Sequence, residues 1–336
     1  MTNEKKETEV KETEVKKVTV RKKRNPVVSF LIEYNTYLVF IALFVISSFL
    51  SEHFLTAMNI RNIALQQSAP VIIAIGMLFV ILTGGIDLSV GSMMALGSSV
   101  AGMLIMNHGV HFIPALLIAV LTGLLLGTFT GILVAYGKMQ GFVASLAMMT
   151  IARGTAFIVT AGRPMRVDIG TIDLLVDRNF FFPIIIISGV IIVVFFFIQK
   201  FTTYGRIVIA IGSNRTAVQL AGIRVKRYLA SVYTISGGLA ALGGVYITAR
   251  ASTGSATIGV GQELDAIAAV VIGGASLAGG HGFVLRTVIG ALVLALIGNI
   301  MNLLAVPSYP QEIIKGFIII AAVLLQVLTA NKEQAV

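Results

Sequence analysis

The sequence has no cysteine, no tryptophan and, beyond its first 24 residues, very little charge. Without cysteine there is no disulfide framework, no thiolate metal site and no cysteine nucleophile. Without tryptophan, any aromatic belt must rest on Tyr and Phe. The shortage of charge excludes more. Charged residues make up 12% of the chain and apolar ones 57%, against about 25% and roughly 45–50% in soluble domains. Outside the first 24 residues only 26 charged positions remain among 312. Such a chain cannot cover a compact globule with polar surface, which excludes a soluble enzyme and leaves a polytopic membrane protein. Four histidines (His53, His108, His111, His281) lack ligand spacing. No G-x-x-x-x-G-K-[ST] phosphate cradle occurs. No catalytic residue, metal site or cofactor is therefore expected.

What is present is an ordered series of apolar runs. Residues 1–27 are a low-complexity Glu/Lys repeat ending in a basic run, read as a disordered cytoplasmic tail. Ten apolar spans follow, near 35–50, 64–83, 88–107, 112–136, 142–161, 180–198, 228–248, 264–278, 283–306 and 313–329. Most are long enough for a ~30 Å hydrocarbon core, and the eighth is short. They are too long and too uniformly apolar for barrel strands. The fold class expected is an all-α polytopic transmembrane helix bundle of about ten helices. Its transmembrane domain covers 28–330, with a cytoplasmic loop at 199–227 and a tail at 331–336.

Charge asymmetry orients the bundle. With the amino terminus inside, 18 Lys/Arg fall on the inner side, six on the outer, and Arg153 lies within a span. Both termini are then cytoplasmic. The net charge of +10 becomes mainly a topology signal, and nucleic acid is not an expected partner.

Several features carry chemistry. The loop 199–227 holds six basic residues and no acid. Within it, Asn214 suits an N-cap and Gly222 a C′ position, so a short helix or a solvated loop are both open. In TGGIDLSVGS (83–92), Asp87 can cap the third span through Ser89 or Val90, or line the permeation path. Arg153 falls about eleven residues into the fifth span, roughly 16 Å deep. It must face the protein interior, with Asp87 or Asp265 as possible partners, or snorkel outward. Glu263 and Asp265 open the eighth span, where acids suit a helix start. The amides Asn59, Asn62, Gln66, Gln67, Asn299 and Asn302 could bind a polyhydroxylated solute or join helices. Glycine runs such as 123–131 and 236–244 fit close helix packing. GGIDLSVG (84–91) and GGASLAGG (273–280) form a faint internal echo.

Three long runs in order carry a resemblance: TGGIDLSVGS (83–92), YGRIVIAIGSNRTAVQLAGIRVKR (204–227) and ELDAIAAVVIGGASLAGGHG (263–282). GKMQGFVASLAMMTIARG (137–154) and QEIIKGFIIIAAVLL (311–325) extend it. Together they resemble permease subunits of bacterial monosaccharide ABC importers of the ribose type. The resemblance implies a second permease copy or homologue, two cytoplasmic ABC ATPase subunits and an extracytoplasmic sugar-binding protein. It implies a cytoplasmic-membrane location, a small neutral sugar as substrate, and no enzymatic activity in this chain. It also implies a coupling helix within 204–222, which makes Gly205, Arg206, Gly212, Asn214, Ala217, Gly222 and Arg224 the coupling candidates. Asp87, Ser89, Arg153, Asp265 and Asn299 are candidates for the translocation path or its gating. The chain departs from the family pattern at Gly141, Arg286, Asn299-Ile300 and the stretch ATIGVGQ before Glu263. These departures bear on which sugar is carried. A nucleoside or furanone cargo and an ion-coupled secondary carrier are the competing expectations.

Overall fold

The computed structural model describes residues 34–168 and 183–334. The expected tail at 1–27 lies outside them. In chain order the elements are α1 (Asn35–Leu50), α2 (Ala57–Leu82), α3 (Val90–His108), α4 (Phe112–Ala135), α5 (Gly141–Thr160), β1 (Met165–Arg166) and α6 (Pro183–Phe201). There follow α7 (Thr203–Ser213), α8 (Arg215–Leu220), α9 (Val225–Ala251), β2 (Thr253–Gly254), α10 (Gln262–Ile272), α11 (Val284–Leu303) and α12 (Ser308–Gln334). Among the described residues seven helices are long and apolar enough to cross a membrane: α2 to α6, α9 and α11. This is an all-α membrane bundle.

The span expected at 264–278 needs correction. Helix α10 has 11 residues, about 16 Å at 1.5 Å per residue, roughly half a bilayer core. It stops because Gly273 and Gly274, the latter at φ +81°, turn the chain out of the helix. Residues 275–283 then run as irregular main chain, which at membrane depth must be buried in protein or face a cavity.

Three helices form the inside. In α2, α3 and α9 the most apolar stretch is 78%, 72% and 78% buried, against 28%, 28% and 17% in α4, α5 and α6. Helix α9 packs on α2, α3 and α4. Small residues make this possible. On α4 the buried stripe is Ala115, Ala119, Gly123, Gly127, Gly131 and Ala135, at i, i+4 spacing. A Cβ at Gly127 would overlap the Tyr233 carbonyl oxygen of α9, so the two backbones meet directly. The other side of α4 exposes Leu117, Leu121 and Leu125. The helix is thus sorted by side-chain size rather than polarity, which suits a lipid-facing outer surface.

The connections collect at two ends. One end carries 83–89, 136–140, 201–224 and 273–283 and is rich in Lys and Arg; it is called here the basic end. The far end carries 252–261, where β2 pairs antiparallel with β1.

Candidate functional site

At the basic end the two glycine-rich turns of the sequence echo touch. Gly280 N–H donates to the Leu82 carbonyl at 3.0 Å. Gly279, at φ +92°, comes so close to Gly84 that an added Cβ would lie 2.8 Å from the Gly84 nitrogen. Helix α7 ends on this junction. Its buried face is Gly205, Val208 and Ile211, one turn apart each. Thr202 starts it, the hydroxyl accepting from the Gly205 N–H at 3.3 Å. One residue past Ile211, a Cβ at Gly212 would overlap both the Leu82 carbonyl and the Gly280 nitrogen.

The expected short helix forms as α8. The Asn214 carboxamide oxygen accepts from the Ala217 N–H at 2.9 Å, the N-cap the sequence suggests. Gly222 takes φ +77° just past the end of the helix. Val218 alone of α8 is buried; it packs with Ala135, Ile211, Val225 and Leu229 in a small core of its own. The rest of the surface is open: Leu220 is 84% exposed, and Arg206, Ala217 and Arg224 are exposed too.

Asp87 is buried beside this junction. Its Oδ1 accepts from the Ser89 N–H at 3.0 Å and from the Ser89 hydroxyl. The bond expected from the Ser89 N–H to Asp87 is present, while Ser89, the N-cap of α3, makes no side-chain cap hydrogen bond of its own. Oδ2 accepts from the Ser236 hydroxyl of α9 at 2.7 Å, a tie the sequence did not disclose. Burial pushes the carboxyl above its ordinary range, and the three hydrogen bonds oppose that shift. Above it sits Tyr233, whose buried hydroxyl has no hydrogen-bond partner among the described residues. The hydroxyl leaves no room for a side chain at Gly85 or Gly141.

Arg153 is bonded neither to Asp87 nor to Asp265. One guanidinium nitrogen, Nη1, donates to the Ala256 and Ile258 carbonyls at 2.7 and 2.6 Å. Both belong to the main-chain strap 252–261, which runs back along α3 from the far end, with Gly254 against Gly102 and Gly259 against Gly91. The strap is also held by Ser98 of α3, whose hydroxyl accepts from the Ser255 N–H at 3.1 Å and bonds Thr248 at 2.6 Å. An irregular strap of this kind has no hydropathy signature, so spacing alone could not reveal it.

The far end also holds a cavity of about 270 Å³ between α2, α9, α10, α11 and α12. Of the path candidates Asp265 and Asn299 line it, as do the amides Gln66, Gln67 and Asn302; Asp87, Ser89 and Arg153 do not. Asn299 is fixed by a reciprocal amide pair with Asn59, at 3.1 and 2.8 Å. Asp265 faces Lys315 of α12 at 3.8 Å and Gln262 at 3.4 Å. Arg250, Gln311 and Lys315 complete the polar wall. Their distance in sequence from the other amides hid them.

Residues 59–323 match the model of the family described as branched-chain amino acid transport system / permease component. The chain is 42% identical over 310 residues to the ribose import permease protein RbsC of Haemophilus influenzae, covering 90% of this chain and 96% of that one. It is 40% identical over 290 residues to RbsC of Bacillus subtilis, with 84% and 89% covered. It is 32% identical over 366 residues to the xylose transport system permease protein XylH of H. influenzae, with 89% and 97% covered. No solved structure matches.

Proposed function

This chain belongs to the branched-chain amino acid transport system / permease component family, and on that premise we propose that it is the membrane permease subunit of a bacterial ribose-type sugar ABC importer. It is a multi-pass protein of the cytoplasmic membrane and forms half of the pathway for ribose or a similar neutral monosaccharide. A second copy or a homologue supplies the other half. Separate ATPase subunits on the cytoplasmic side provide the energy, and an extracytoplasmic binding protein delivers the sugar. Both termini, residues 1–27 and the end beyond residue 330, lie on the ATPase side in this reading.

The coupling role falls to 203–222. The observation that carries it is the fit of Gly212 against the Leu82 carbonyl and the Gly280 nitrogen. Helix α8 offers an exposed, acid-free surface with Leu220 projecting between arginines. A push on that surface is delivered through α7 to main chain at the ends of both α2 and the α10–α11 turn. No side chain intervenes to absorb it. Asp87 ties the same turn to α9 through Ser236, so three inner elements move with one input. Gly205, Arg206, Asn214, Ala217 and Arg224 shape or present the docking surface, and Gly222 lets the chain leave it. Arg153, the intramembrane charge an ion-coupled carrier would need, is occupied in holding main chain.

The test is reconstitution of the chain with its ATPase and binding protein in liposomes. ATP-dependent entry of labelled ribose is expected, and charge reversal at Arg206 together with Arg224 should abolish it while the chain still inserts. Uptake driven by an ion gradient without the ATPase, or full ATP-driven uptake in the double variant, would sink this reading.

A further inference from the structure

The cavity at the far end opens to the surface and has hydrogen-bonding capacity to spare: Gln66 and Arg250 in its wall are exposed and Gln67 is half-buried. Asn299, Asn302, Gln311, Gln262 and Asp265 are bonded to protein groups. Gln66 and Gln67 of α2 and Arg250 of α9 also line the cavity, and their side chains have no hydrogen bond or ion pair among the described residues. Pro70, in the same wall, has no N–H to give the Gln66 carbonyl four residues back. A guanidinium fork and two carboxamides therefore line one space.

We propose that this cavity is a weak binding site for a single neutral monosaccharide, with Arg250, Gln66 and Gln67 reading adjacent hydroxyls. The proposal rests on the transport reading above and adds to it a place where the sugar pauses inside the permease. Three features of the wall select the ligand class. The volume of about 270 Å³ lies just below the ~300–1,000 Å³ range of drug-sized ligands, which suits one sugar ring and is tight for a nucleoside. Hydroxyls both donate and accept, so a vicinal pair can satisfy an Arg fork and an amide together. The lining has no aromatic ring, so a nucleobase finds no stacking platform. The lack of a ring also keeps the sugar loosely held, as a path requires: a solute must bind well enough to enter and weakly enough to leave.

The chain's lack of cysteine makes the test direct. Gly298 lines the cavity, and nothing lies within 4 Å of the position a Cβ would take there. Gly298→Cys places the only thiol of the subunit in the wall. The permease–ATPase complex, in liposomes and without added binding protein, is treated from outside with a charged methanethiosulfonate. Modification is read by mass on this subunit. Ribose should slow it saturably, by about threefold once its concentration is twice the dissociation constant. With each variant compared with its own unprotected rate, adding Arg250→Gln should weaken the ribose effect about tenfold or more, the loss expected for a charge-assisted hydrogen bond; Arg250→Lys should fall between. No protection by ribose, or no modification of the thiol at all, overturns the site. Stronger protection by glucuronate or by adenosine overturns the neutral-sugar assignment. ATP-driven ribose uptake by the complete importer is measured separately. Uptake without protection removes the site alone, whereas protection without uptake removes the transport reading.

Discussion

At the basic end backbone lies on backbone: Gly212 against Leu82 and Gly280, and Gly279 against Gly84. At the far end α2, α9 and α11 stand apart around a cavity where Gln66, Gln67 and Arg250 have bonds unmade. The first arrangement transmits displacement, because interiors packed to van der Waals contact respond by moving as a unit. The second tolerates a guest, because its open groups are already compatible with water or hydroxyls. The difference teaches where to look for each function in such a permease. Coupling needs contacts with no slack, and passage needs slack with polar walls.

The sharpest way to break this contrast is to insert slack or a clash at the tight end. Gly212→Leu adds a side chain where even a Cβ overlaps two main-chain groups. Overpacking of this kind costs about 1–3 kcal/mol, here at the contact to which the proposed coupling assigns the push. We expect ATP-driven uptake to fall at least about tenfold, with insertion retained and ATP hydrolysis no longer following sugar delivery. The equivalent enlargement at Gly298, where the Cβ position is open, should leave stability within about 0.5 kcal/mol. Equal damage at both sites would erase the contrast.

The next effect is at Asp87. Asp87→Ala leaves the Ser89 N–H and the Ser89 and Ser236 hydroxyls without their acceptor in a buried site. An unmade buried hydrogen bond costs about 1–3 kcal/mol, so the melting temperature in detergent should drop by several degrees. Asp87→Asn keeps an acceptor oxygen and should recover part of the loss. A variant as stable as the parent would show that the α3–α9 tie is not structural.

How much of this was legible beforehand varied with the physics of each element. The long spans were readable because hydropathy is local, and α8 was readable because Asn214 and Gly222 carry capping signals in the chain itself. Helix α10 was overextended because glycines and alanines after Ile272 remain apolar while leaving the helix. Of the candidate path residues, Asp265 and Asn299 reached the cavity, since acids and amides on a span rarely face lipid. For Arg153 the sequence leaves open an interior position paired with Asp87 or Asp265 and outward snorkelling; carbonyls of a strap more than a hundred residues away have no sequence signature. Arg250 was missed for the opposite reason: at the end of a helix it reads as an ordinary flanking charge.

Arg153→Gln tests that strap. The shorter amide can replace one carbonyl contact but not both, so residues 252–261 should exchange amide hydrogens faster while the α7–α8 segment is unchanged. A hydrogen bond to a charged group contributes about 1.5–3 kcal/mol, which sets protection at the strap down by about tenfold or more. Faster exchange at 203–222 as well would mean that the two ends are not separately built.

The smallest effect belongs to the ion pair in the cavity wall. Lys315 lies 3.8 Å from Asp265 and 3.1 Å from Glu312, with about a quarter of its side chain exposed. Coulomb attraction at this range is opposed by the cost of holding a long side chain and is weakened by the partial solvent exposure of both partners. Pairs of this kind contribute about 0–1 kcal/mol. Lys315→Gln should therefore shift the melting temperature by no more than a degree or two, and the shift should shrink further in high salt. That insensitivity is what a wall with slack requires, since a pair that locked α10 to α12 would have to be broken each time the cavity filled. A loss as large as that of Asp87→Ala would place a rigid clamp at the far end and turn the comparison between the two ends around.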